Sequence, residues 1–137
     1  MSLTPLFDSH SPIPSHAIVA LIALCLAAWQ IVGMKGTPRH RAIGWLFVIA
    51  MAYVALSALF IHALQLFGIW SPIHLLVPVT LWALWRGVSH ARAGRIRSHQ
   101  YSMLSLVLLA LVVTGAFTLA PGRVMHAVVF GQETAAR

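Results

Sequence analysis

The sequence predicts an all-α membrane protein, a bundle of four transmembrane helices with both termini extracytoplasmic. Three observations carry that prediction. Of the 137 residues, 60% are hydrophobic and 8% charged, whereas soluble domains carry about a quarter charged residues. So little charge would not keep a globule of this size in water. Four apolar runs follow one another, the first approaching the roughly 20 residues that cross a hydrocarbon core. The cations gather in alternate loops: Lys35, Arg39 and Arg41 between the first two runs, Arg86, Arg92, Arg95 and Arg97 between the third and fourth. That is the distribution of cytoplasmic loops.

Residues 1–15 are polar, broken by Pro5, Pro12 and Pro14, and hold no Lys or Arg. A secretory signal begins with a positive region, so this stretch reads as a short extracytoplasmic tail. The transmembrane domain covers residues 16–122. Its first helix spans about 16–34, with Gln30 as the polar intruder that faces other helices. Cys25, the single cysteine, has no intrachain partner, and Leu24 before it is too large for a lipoprotein cleavage site. Thr37-Pro38 opens the second helix, threonine as cap and proline at the first helical position, and the apolar run extends it over about 38–67. Gly44, Val48, Met51, Ala55, Ala58 and His62 share one face of it. Small residues on such a stripe let helices approach closely in a bilayer.

Ser71-Pro72 opens the third helix, about 72–89, with the same grammar. Pro78 inside it removes an amide donor and crowds the carbonyl of His74, predicting a kink and a freed acceptor there. The fourth helix spans about 99–120 and is stopped by Pro121-Gly122. Residues 123–137 form a tail with a short interfacial helix around Val124 to Phe130. Trp70 suits the outer interface, and Trp45, Trp82 and Trp85 the inner one.

The net charge of +7 and the pI near 11.5 would suit a nucleic-acid binder. The gathering of seven of the nine cations in two loops, with only Arg123 and Arg137 elsewhere, argues against that. Catalysis by paired acids is also disfavoured. The only carboxylates, Asp8 and Glu133, sit in the two tails. The intramembrane Ser and Thr residues more often bond to carbonyls than act as nucleophiles, and no phosphate loop, CxxC or dinucleotide fingerprint occurs.

Eight histidines are the unusual feature, because intramembrane ionisable residues mark function by default. His40 and His62 lie 22 positions apart, about 33 Å of helix, so one small cofactor cannot touch both. Two sites follow, one per leaflet. At the outer corner, His62 and His74 are candidate ligands of a transition-metal ion, with His126, His16 or Asp8 completing the shell. A haem b would use non-adjacent helices instead, as in His62 with His16 or His126. At the inner rim, His40 pairs with His99, and the competing expectation there is contact with anionic lipid.

Lys35-Gly36-Thr37-Pro38-Arg39-His40-Arg41, Ser57-Ala58-Leu59-Phe60-Ile61-His62 and Ser71-Pro72-Ile73-His74-Leu75-Leu76 together resemble a family of predicted bacterial membrane proteins, domain of unknown function 2306. So do His99 with Met103, and Gly115-Ala116-Phe117-Thr118 before Pro121-Gly122-Arg123. The resemblance covers about residues 33–124 and implies a four-helix inner-membrane protein. It maps recurrent histidines onto His40, His62, His74 and His99. The expectation is a multi-pass protein of the bacterial inner membrane that binds a metal ion or redox cofactor through rim histidines, as an accessory or electron-transfer component. Its expected partners are the lipid bilayer and either copies of itself or a larger membrane complex, with no nucleic acid. The alternatives are a small proton-coupled transporter or channel component, with His62 handling the proton, or a purely structural subunit.

Overall fold

A computed structural model of the chain describes residues 7, 9, 11–61, 75–119 and 124–130. Their only regular structure is helix, with no strand among them. Helix α1 spans Ile13–Val32, α2 Pro38–Ala58 and α3 Leu76–Arg92. Helix α4 spans Ile96–Thr118 and α5 Val124–Phe130. By length and composition, α1, α2 and α4 can each cross a membrane.

Helices α1 and α2 form one antiparallel pair and α3 and α4 another. Packing of α2 on α3, and of α1 on the middle of α4, joins the pairs. One buried cluster results, built from Ala23 and Ala27 of α1, Phe47 and Met51 of α2, Leu84 of α3, and Leu106, Val107 and Leu111 of α4. Most other large apolar side chains are exposed, among them Leu21, Trp29, Ile49, Val79, Leu109 and Phe117. That inversion is what a lipid solvent permits, since apolar surface facing hydrocarbon carries no penalty.

The stripe on α2 faces this interior. Met51 is 0% exposed and Ala55 is buried. A Cβ on Gly44 would stand 3.0 Å from Nε2 of Gln30, so the missing side chain lets α1 come close. The cap also follows the sequence: Thr37 accepts from the backbone of His40 at 3.1 Å, with Pro38 at the first helical position. Gly36 supplies the left-handed residue of the connection, at φ +79°.

Several boundaries differ from those the sequence suggests. α1 begins at Ile13 and ends at Val32, where the Gly33 amide bonds back to Trp29 at 2.8 Å. α2 leaves α geometry at Ala58, and residues 62–67 of the expected helix lie outside the described residues. The amides of Leu59, Phe60 and Ile61 bond three residues back, at 3.2, 3.1 and 3.1 Å, and this tightened turn closes the helix. α3 continues to Arg92. It ends where the Arg95 amide reaches the carbonyl of His90 at 2.9 Å and the Gly94 amide that of Ala91 at 3.2 Å, with Gly94 at φ +70°. This is a Schellman motif, which requires a left-handed residue at that position. Pro78 is the third residue of α3 as described. The expected kink and free acceptor at His74 lie outside the described residues, as does the corner 62–74.

α4 starts at Ile96 and holds a π-helical stretch over Val107–Val113, which neither composition nor spacing announces. The hydroxyl of Thr114 donates to the carbonyl of Leu109, five residues back, at 3.0 Å, and so satisfies an acceptor within the widened coil. The short helix expected around Val124 to Phe130 is α5.

Candidate functional site

The polar side chains inside this apolar body collect at its two ends. The first end is where α1 begins and α2 finishes. Nδ1 of His16 lies 2.8 Å from Oγ of Ser57. The Ser57 hydroxyl gives its own hydrogen to the Val54 carbonyl at 3.1 Å. Its oxygen therefore accepts, and His16 donates from Nδ1. The Nε2 lone pair of His16 is left over. A second relay runs beside it: Tyr53 donates to Ser15 at 2.8 Å, and Ser15 to the Pro12 carbonyl at 3.0 Å. Ser57 is buried, so the first relay is shielded from competing donors.

A cavity of about 670 Å³ opens against this end. Its walls are chiefly alanine, leucine and valine from all five helices, with His16, Thr80, Thr114 and Thr118 as the polar members. Both hydroxyls on α4 are committed as donors, Thr114 to Leu109 and Thr118 to Gly115 at 2.6 Å. The volume is that of a small-molecule or cofactor site.

The second end holds the basic segments. Nε2 of Gln30 donates to the His40 carbonyl at 2.7 Å, while its Oε1 is buried without a partner among the described residues. On α4, His99 gives its Nδ1 hydrogen to the carbonyl of Gly87 at 2.9 Å. A carbonyl only accepts, so Nε2 again keeps the free lone pair. A side chain at Gly87 would displace the end of Met103, whose Cε lies 2.2 Å from where a Cβ would stand. His40 and His99 lie within electrostatic reach of each other. They stand on different helices at one rim, His40 at the start of α2 and His99 near the start of α4.

His90 lies beyond the apolar part of α3, which ends at Trp85. It accepts from Nε of Arg86 at 3.2 Å. Desolvation, then Arg86, Arg95 and His99, hold its pKa below the ordinary histidine value. Arg86 stacks over Trp82 at 5.0 Å and Arg92 over Trp45 at 5.7 Å. The second contact ties the end of α3 to the start of α2, so both basic segments occupy one rim.

His62 and His74, the main outer candidates, lie outside the described residues. His126, nominated beside them, donates from Nδ1 to the Leu119 carbonyl at 2.8 Å and packs on Phe130, centroids 4.8 Å apart. Among the described residues, no group of three or more His, Cys, Asp or Glu side chains could hold a metal ion. The sequence reading named His16 only as a secondary ligand and missed its partner Ser57. The signal was present in the pairing of Ser15-His16 with Tyr53 and Ser57, two polar positions one turn apart near the end of α2.

No curated protein and no solved structure matches the chain. A family profile, described as predicted membrane protein, matches residues 13–136. The match takes in α1 and most of the C-terminal tail, segments for which the sequence motifs gave no likeness. With all five of the described helices inside the matched region, the chain belongs to the family of predicted membrane proteins called domain of unknown function 2306.

Proposed function

We propose that the protein is a four-span protein of the bacterial inner membrane that holds a redox cofactor between histidines, as an electron-transfer or accessory component of a larger membrane complex. Haem b is the cofactor this reading favours. It asks for two imidazoles from different helices, and the described residues offer no cluster of three metal ligands. One observation carries the reading: His99 spends its Nδ1 hydrogen on Gly87 at 2.9 Å and keeps Nε2 free, at the same rim from which His40 of α2 starts. A backbone carbonyl on the far nitrogen is the usual way a ligating histidine is oriented. Bound between such imidazoles, the iron would supply one-electron chemistry. The chain's own residues would hold the rings in one tautomer and exclude water. His62 and His74 are assigned to the second, outer site, with His16 and His126 as the candidate partners of His62.

The test is the absorption spectrum and metal content of the purified protein, with His99→Ala and His62→Ala beside it. A Soret band that weakens in each variant supports the reading. Colourless, metal-free protein, from cells supplied with haem and metals, removes it.

A second reading, a small proton-coupled carrier, draws on the cavity of about 670 Å³. The inward stripe of α2 borders it through Met51, Ala55 and Ala58, and His62 would handle the proton. Proton flux into proteoliposomes that disappears in His62→Ala supports it.

A further inference from the structure

We propose that the rim of α3 carries a site for the phosphate headgroup of an anionic phospholipid. A second cavity, about 350 Å³, lies there, lined by Trp82, Trp85, Arg86, Ser89, His90 and Arg95. It belongs to neither histidine pair discussed above.

Its chemistry is that of an anion site. Arg86 and Arg95 face it, and the described residues contain no carboxylate that could neutralise them; the chain's only two acids are Asp8 and Glu133. Nε of Arg86 is spent on Nε2 of His90, which leaves its terminal nitrogens for a ligand. With Nε2 accepting, the neutral His90 ring carries its hydrogen on Nδ1, a further donor, as is the Ser89 hydroxyl. The motif that closes α3 fixes the spacing. The amide of Arg95 is held by the carbonyl of His90 at 2.9 Å, so the two side chains stay neighbours across the turn.

The rest of the wall selects a lipid over free phosphate. Trp82 and Trp85 are 55% and 67% exposed, and indole rings so placed sit at headgroup level. Arg86 is held over Trp82 at 5.0 Å, its charge at the boundary between ring and water. Below them the outer face of α3 is apolar and open, with Val79 exposed, a track for an acyl chain. A phosphodiester joined to two acyl chains uses both halves of this wall. Inorganic phosphate uses one.

The experiment titrates the full-length, detergent-solubilised protein with short-chain phosphatidylglycerol, with phosphatidylcholine of equal chain length, and with inorganic phosphate, and counts bound ligand by native mass spectrometry. The expected result is one tightly retained phosphatidylglycerol. Affinity falls about fivefold for each arginine removed in Arg86→Gln and Arg95→Gln. Lys35→Gln, in the other basic segment, changes little. Equal retention of the two lipids overturns the site, and this comparison needs only the wild-type protein. Equal weakening by Lys35→Gln overturns it in favour of diffuse charge. Inorganic phosphate binding as tightly as phosphatidylglycerol overturns the lipid assignment. None of these readouts depends on a cofactor.

Discussion

His16 and Ser57 join the start of α1 to the end of α2 through a 2.8 Å contact between Nδ1 and Oγ, and Ser57 passes its own hydrogen to Val54. Interhelical hydrogen bonds inside membrane proteins are worth about 0.6 kcal/mol on average and up to about 1.7 kcal/mol. Burial of Ser57 places this one toward the upper part of that range. In a double-mutant cycle of His16→Ala and Ser57→Ala, followed by denaturant unfolding in mixed micelles, the coupling should be about 1 kcal/mol. Additive single effects would show that the contact holds nothing.

Gly87 gives a sharper steric test. A Cβ there would meet Cε of Met103 at 2.2 Å, and the Gly87 carbonyl also holds His99. Overpacking of this kind destabilises by about 1–3 kcal/mol. Gly87→Ala should fall at the low end, because the obstructing atom is the end of a flexible side chain. Gly87→Val should fall at the high end, and adding Met103→Ala should recover part of the loss. A melting temperature for Gly87→Val equal to wild type would contradict the packing of α3 on α4.

The basic segments can be located chemically. With the lone Cys25 replaced by alanine, cysteines introduced at the exposed positions Lys35 and Ala93 should react with a membrane-impermeant maleimide from the same side of the membrane. The Arg92–Trp45 contact of 5.7 Å requires it. Labelling from opposite sides would break the arrangement of both helix pairs.

Acidification should weaken the α3 rim. His90 has its pKa lowered in the folded protein, by desolvation first and by Arg86, Arg95 and His99 after that. Below the ordinary value near 6.5, the unfolded chain takes up a proton that the folded ring resists, so stability declines as pH falls from there. The decline should be shallower in His90→Gln, read as melting temperature from pH 7.5 to 5. Identical slopes in the two proteins would remove His90 as the source.

Much of the helical plan was legible because it rests on local rules. Apolar run length marked the helices, Thr37-Pro38 marked the start of α2, and the three- and four-residue spacing of Gly44, Val48, Met51 and Ala55 marked its inward face. The placement of His40 and His99 at one rim followed from the alternation of apolar runs and basic loops. Other features were hidden because they depend on contacts made across the fold. Tyr53 and Ser57 stand out as polar positions one turn apart, but that Ser57 meets His16, 41 positions earlier, depends on how α1 and α2 pack. The end of α2 at Ala58 was obscured because its apolar run carries on past the last α turn. Gln30 was recognisable as inward-facing, but its bond to the His40 carbonyl depends on how α1 and α2 meet.

The widened coil at Val107–Val113 splits α4 into two parts of different rotational phase. A π turn holds one residue more than an α turn over the same rise, the mark of a single-residue insertion absorbed within an intact rod. The part before it, with His99 and Met103, is keyed to α3. The part after it presents Thr114 and Thr118 to the large cavity. Deleting one residue inside the stretch should let the coil close to regular α pitch with both flanks still aimed as they are now, whereas the same deletion at Ser102 would swing one flank about 100° out of line with its neighbour.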